Sequence, residues 1–198
     1  MKPGISEMYF RAAEAAAGPV ARADIAVSHA VKPLQHNPVV KRLKPLGDWP
    51  DQMPLNIAAA GLVGAGLLAK NERMTRLGVR LGAAHLVAMA LKQGAKALIR
   101  RPRPNMVSSG TPHEIRFPGH RDPAVESFPS GHSTGAVMAA RTVARVYPEA
   151  APVAYAAAAT AGAAQVVRQD HFLSDVLAGV VLGVAADLIT TALFRRFG

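Results

Sequence analysis

The chain has 198 residues, half of them hydrophobic, with 17 Gly, 15 Pro, no Cys, and 23 Lys+Arg against 13 Asp+Glu, a formal charge of +10 at pH 7. That length suits one domain with a real core, and the lack of cysteine excludes a disulfide framework, thiol catalysis and thiolate zinc sites. A mean hydropathy of +0.15 excludes a disordered chain, and the scattering of the basic residues argues against a nucleic-acid surface.

The first 51 residues form an amphipathic segment and connector. From Ile5 to Val31 the chain is Ala-rich but carries Glu7, Arg11, Glu14, Arg22 and Asp24. It is expected as an interfacial amphipathic helix broken near Gly18-Pro19, too charged to span a bilayer. It lacks the order of a signal peptide. Lys32 to Asp51, with Pro33, Pro38, Pro45 and Pro50, reads as a connector.

Residues 52–198 hold the clustered apolar sequence. Gln52 to Ala69 and Ala150 to Val167 are uncharged runs of 18 residues each, close to the roughly 20 needed to cross a hydrocarbon core. Val176 to Phe194 carries only Asp187, with Gly179 and Gly183 in the spacing that lets membrane helices approach closely; Gly78 and Gly82 repeat it. Two further helices, about Leu77 to Ile99 and Ser133 to Tyr147, are apolar on one side. Their Arg80, His85, Lys92, Arg141 and Arg145 must face the bundle interior or the interface. Buried helices of a soluble all-α protein are the competing reading, and the recurrence of near-spanning runs with Gly pairs favours the membrane. The expected fold is all-α, an integral-membrane helical bundle of about five apolar helices with an N-terminal interfacial helix.

Between the second and third helices lies a polar, Pro- and Gly-rich stretch, Arg100 to Ser130, longer than a compact domain tolerates without a function. Three clusters flank it or share its membrane face if the helices alternate in direction. Lys96 and Arg103, within KALIRRPRP, place a point charge and a planar fork over one pocket, a combination suited to phosphate, although juxtamembrane basics also snorkel to headgroups. Ser130, before Gly131 and His132, reads as a helix N-cap, where free N–H groups and the helix dipole favour an anion. His171 and Asp175 are four residues apart, hence expected on one helical face, where a carboxylate can fix the imidazole tautomer or simply satisfy a core histidine.

Together these clusters resemble the signature of the type 2 phosphatidic acid phosphatase superfamily, whose fold is shared with class A acid phosphatases and vanadium haloperoxidases. That signature is Lys, six residues, Arg-Pro; then Pro-Ser-Gly-His; then Ser-Arg, five residues, His, three residues, Asp. Lys96 with Arg103-Pro104 and Pro129 to His132 match the first two parts. His171 and Asp175 match the third, but Ala164 and Gln165 stand where the family has Ser-Arg. The resemblance implies metal-independent hydrolysis of a lipid phosphate or pyrophosphate monoester through a phosphohistidine, with no cofactor. His171 would attack phosphorus, Asp175 would hold and activate its ring, and His132 would protonate the leaving oxygen and later activate water. Lys96, Arg103, Ser130 and Gly131 would hold the phosphate oxygens.

Arg168, three residues after Gln165, is expected to supply the missing cation from a continuing helix. A metal held by His132, His171 and Asp175 is disfavoured because the neighbouring Lys and Arg repel a cation. His113 and His120 are expected to be solvated, His85 to be packed, and Arg100 and Arg101 to anchor at the interface or recruit lipid. The expected partners are a lipid phosphate and the bilayer of a multi-pass cell-membrane protein, its site facing away from the cytoplasm by the family's usual arrangement. A catalytically weakened anionic-lipid-binding protein and a soluble acid phosphatase of the same fold are the alternatives.

Overall fold

The computed structural model describes Met8, residues 18–38, Arg42, residues 52–113, Ile115 and residues 126–197. Most of the expected first helical stretch, most of the connector, His120 and part of the long loop lie outside the described residues. Within them, the regular structure is helical, apart from an isolated bridge between Arg101 and Glu126. The elements are α1 (Pro19–Val31), α2 (Gln52–Leu68), α3 (Glu72–Leu98), the single turn α4 (Pro104–Val107), α5 (Gly131–Val146), α6 (Ala151–Val167) and α7 (Leu173–Phe197).

Local chemistry sets the boundaries. The Asn71 side chain accepts from the Met74 amide at 3.0 Å and caps α3. Ser130 caps α5 by accepting from the Ser133 amide at 3.3 Å. Pro19, Pro104 and Pro152 stand in the first turns of α1, α4 and α6, where a missing N–H costs nothing.

Helix α5 lies against α3, α6 and α7, and α2 packs on α3. Gly179 and Gly183 are the reason α7 sits so close to α5. A Cβ at Gly179 would lie 2.6 Å from the Ser130 carbonyl oxygen, and one at Gly183 would lie 2.7 Å from that of Thr134. Gly78 plays the same part against α2, facing the Ala59 oxygen at 2.8 Å. Leu55, Ala59, Leu81, Ala84, Ala88, Met138 and Ala186 fill the core where α2, α3, α5 and α7 meet.

Large apolar side chains stand on the surface of the described residues. Ile57, Leu68, Leu86, Val153, Leu177 and Val181 are exposed, while the buried Asp187 is held by the half-buried Arg141 and the exposed Arg145 at 2.8 Å each. Such an arrangement suits hydrocarbon outside and paired charge inside. Two helices, Pro148–Val167 and Leu173–Arg196, are long and apolar enough to cross a membrane, and Pro54–Leu68 is apolar but shorter. Among the described residues the bundle is therefore all-α as expected, and α3 carries more charge than the other long helices.

Helix α1 departs from the interfacial form expected for it. Asp24, Ile25 and Ser28 are buried, with Ile25 packed on Val107 and Phe172, so α1 is packed into the bundle.

Candidate active site

The turn between α6 and α7 carries His171. Helix α6 ends at Val167, and Gln169 takes a left-handed φ of 63°, a cost offset by three hydrogen bonds. Its side chain accepts from the Ser28 hydroxyl at 2.6 Å and donates to the Ser28 and Val166 carbonyls at 3.0 and 3.2 Å. The buried Gln165 uses its carbonyl to receive the amides of Asp170 and His171, at 3.1 and 3.2 Å. At the position of the family arginine, then, the backbone shapes the turn.

His171 precedes α7, so it and Asp175 do not share a helical face. The expected contact between them is replaced by a relay. Nδ1 of His171 lies 2.6 Å from the Ser127 carbonyl oxygen; a carbonyl only accepts, so Nδ1 carries the proton and Nε2 keeps its lone pair. The Ser127 hydroxyl in turn donates to Asp175. Asp175 also accepts from the Phe172 amide at 2.8 Å and pairs with Arg101 at 2.7 Å. It therefore supports His171 through Ser127.

Arg101 is the largest departure from sequence expectation. Instead of anchoring at the interface it is 3% exposed, bridging Asp175 and Asp24 at 2.7 Å each and lying 4.2 Å from the Phe172 ring. Asp24 also accepts from the Ser174 amide at 2.9 Å, capping α7 from α1. His113, expected in solvent, meets Arg101 at 3.0 Å and stands edge-on to Phe172. Burial and the Arg101 charge hold its pKa below the ordinary histidine value.

The cations gather on His171. Its pKa is pushed down to about 3, first by burial, then by the charge of Arg103, with His132 and Lys96 adding to it and the Ser127 carbonyl opposing it. The ring is therefore neutral near pH 7, held in a positive field. Arg103 stands before α4 with its Nε buried and without a hydrogen-bond partner among the described residues. Lys96 is 3.5 Å from Glu126. The Ser130 amide donates to the Asp175 backbone oxygen at 3.0 Å, tying the α5 tip to the start of α7. Beside that tip the buried Lys92 approaches Gly131, with its Nζ 3.4 Å from where a Cβ would sit. Arg168 does not continue a helix; it follows the end of α6 and pairs with Asp170 at 3.0 Å.

The structure thus brings Lys96, Arg103 and His132 into electrostatic reach of His171, and joins Ser130 to Asp175. Sequence reasoning missed Asp24, Arg101 and Ser127. The one local signal for Asp24 was its place beside Ile25 and one turn from Ser28, a mixed face on a helix rich in alanine and valine.

Residues 77–198 match the PAP2 superfamily. Over 84 residues the chain is 42% identical to a lipid A 1-phosphatase of Rhizobium johnstonii, an alignment covering 41% of this chain and 33% of that one. A lipid A 1-phosphatase of Rhizobium etli is 40% identical over 84 residues, covering 41% and 34%; the match thus spans about a third of each relative's length. Among solved structures, the PAP2-type phosphatidylglycerolphosphate phosphatase of Bacillus subtilis superposes with a TM-score of 0.62 at 20% identity, over 98% of this chain and 96% of that one, a likeness of fold. With the family match covering more than half of its length and its three signature clusters meeting around one histidine, the chain belongs to the PAP2 superfamily.

Proposed function

We propose that this protein is a membrane lipid phosphatase that hydrolyses a lipid phosphate or pyrophosphate monoester through a phosphohistidine at His171, without a metal. The observation that carries the reading is the state of His171: buried, neutral, with Nδ1 committed to the Ser127 carbonyl and with Arg103, His132 and Lys96 near enough to depress its pKa. A neutral imidazole among cations suits attack on a dianion, because the incoming charge offsets the field that otherwise disfavours imidazolium.

In the first step Nε2 of His171 forms a bond to phosphorus while the bond to the leaving oxygen breaks, and His132 gives that oxygen a proton. In the second, water attacks phosphorus, His132 takes its proton, and the P–N bond breaks to release orthophosphate. Lys96, Arg103, Ser130 and the Gly131 amide hold the nonbridging oxygens, with α5 contributing its N-terminal dipole. Asp175 keeps Ser127, and hence the His171 tautomer, in place. The cell membrane is the proposed location, with the site on the non-cytoplasmic face.

Phosphate release from a panel of phosphatidic acid, phosphatidylglycerol phosphate, a polyprenyl diphosphate and lipid A 1-phosphate tests this reading. The likeness to lipid A 1-phosphatases puts the last first. Wild type is expected to release phosphate from at least one substrate and His171→Ala from none. Gln165 at the family arginine position favours one other reading, an anionic-lipid binder with little catalysis, to which binding without release from any substrate would point.

A further inference from the structure

We infer that the end of the bundle opposite the catalytic cluster holds a binding site for an anionic phospholipid. This goes beyond the phosphatase reading and requires only that the bundle sits in a bilayer. Helix α3 marks the geometry: Arg76 and Lys96 are about 30 Å apart along its axis, close to one hydrocarbon thickness. The two ends of α3 therefore lie at the headgroups of opposite leaflets.

At the Arg76 end a groove of about 640 Å³ opens between α3, α5 and α7, lined by Arg73, Arg76, Arg80, Arg145 and Arg195, with Glu72 as its one carboxylate. Three of the arginines are occupied. Arg73 pairs with Glu149 at 3.0 Å and donates to the Val146 carbonyl at 2.7 Å; Arg145 clamps Asp187; Arg80 lies 4.9 Å from the Phe194 ring. Arg76 and Arg195 are exposed and have no acidic partner among the described residues.

A second, adjoining cavity of about 530 Å³ shares Arg76 and Glu72 with the groove, but its other walls include Gly66, Leu67, Val79 and Phe194. Cationic groove and apolar cavity meet at Arg76, which fits an amphiphile with a phosphate beside Arg76 and Arg195 and an acyl chain along Leu67 and Val79. A free anion has no use for the apolar half, and a zwitterionic lipid gains less from the unpaired arginines. Interfacial snorkelling explains single arginines but not this pairing of cavities.

The test is the unfolding midpoint of the intact protein in phosphatidylcholine nanodiscs titrated with phosphatidylglycerol, beside an arm given inorganic phosphate. Phosphatidylglycerol is expected to raise the midpoint saturably and inorganic phosphate to leave it unchanged. In Arg76→Gln/Arg195→Gln the apparent affinity is expected to weaken by about fivefold for each arginine removed. Both positions are exposed, so folding and activity in phosphatidylcholine are expected to persist. Leu67→Gln, which leaves every charge in place, is expected to weaken the lipid effect as well, and Lys96→Gln at the catalytic end to preserve it. An unchanged titration in the double arginine variant, loss of the effect in Lys96→Gln instead, or equal stabilisation by inorganic phosphate would overturn the assignment.

Discussion

Both ends of the bundle are rich in arginine, and each divides its arginines in the same way. At the end that carries the candidate site Arg101 is buried between Asp24 and Asp175, while Arg103 has a buried Nε with no hydrogen-bond partner among the described residues. At the far end Arg141 and Arg145 hold Asp187, while Arg76 and Arg195 have no acidic partner among the described residues. The lesson is that position near a membrane surface does not tell an arginine that holds the fold together from one left open to a ligand; a committed carboxylate partner does. Arg101 and Arg103 make the point within three residues of sequence.

The sharpest way to break that distinction is to remove one of each. Arg103→Ala is expected to lower turnover by about 10²–10³ with little change in unfolding midpoint, since no acid among the described residues pairs with it. Asp24→Ala is expected to do the opposite. It leaves Arg101 with one carboxylate and the start of α7 without its cap, and costs about 3–5 kcal/mol of stability. If the two variants instead lost activity and stability in equal measure, the division between arginines that hold the fold together and those left open to a ligand would fail.

The pH dependence of stability gives a smaller effect with a fixed sign. The pKa of His171 in the folded state is about 3 against about 6.5 unfolded. Between those values the unfolded chain binds the extra proton. The contribution is therefore fully present above about pH 6.5 and lost as pH falls towards 3. His171→Gln is expected to lack this component, so the difference between the wild-type and variant midpoints should narrow or reverse on acidification. A difference independent of pH would contradict the neutral, buried imidazole.

Arg168→Ala is expected to have the smallest effect, less than about tenfold in turnover, because Arg168 already pairs with Asp170 on a turn rather than on a helix extending past Gln165. A larger loss would restore Arg168 as the cation that replaces the family arginine.

Much of the fold was legible for identifiable reasons. The uncharged runs gave α2 and α6, and the pair Gly179 and Gly183 marked α7 for a close helix contact, though not its partner α5, because only backbone shape is needed there. Ser130 was legible as a cap because capping is local. The relay was not, because its parts are far apart in the chain: Asp24 reaches Arg101 across 77 positions and Ser174 across 150. Nor does any periodicity indicate that α6 stops at Val167. That break moves His171 off the helix, turns Arg168 towards Asp170, and puts a carbonyl rather than Asp175 against the ring.

The most direct test is alkaline quench of the protein during turnover, followed by mass spectrometry of its peptides. The account predicts one phosphoryl group, on His171 alone, which disappears in His171→Ala. A phosphoryl group on His132, or steady phosphate release with no phosphohistidine at any time, would contradict it.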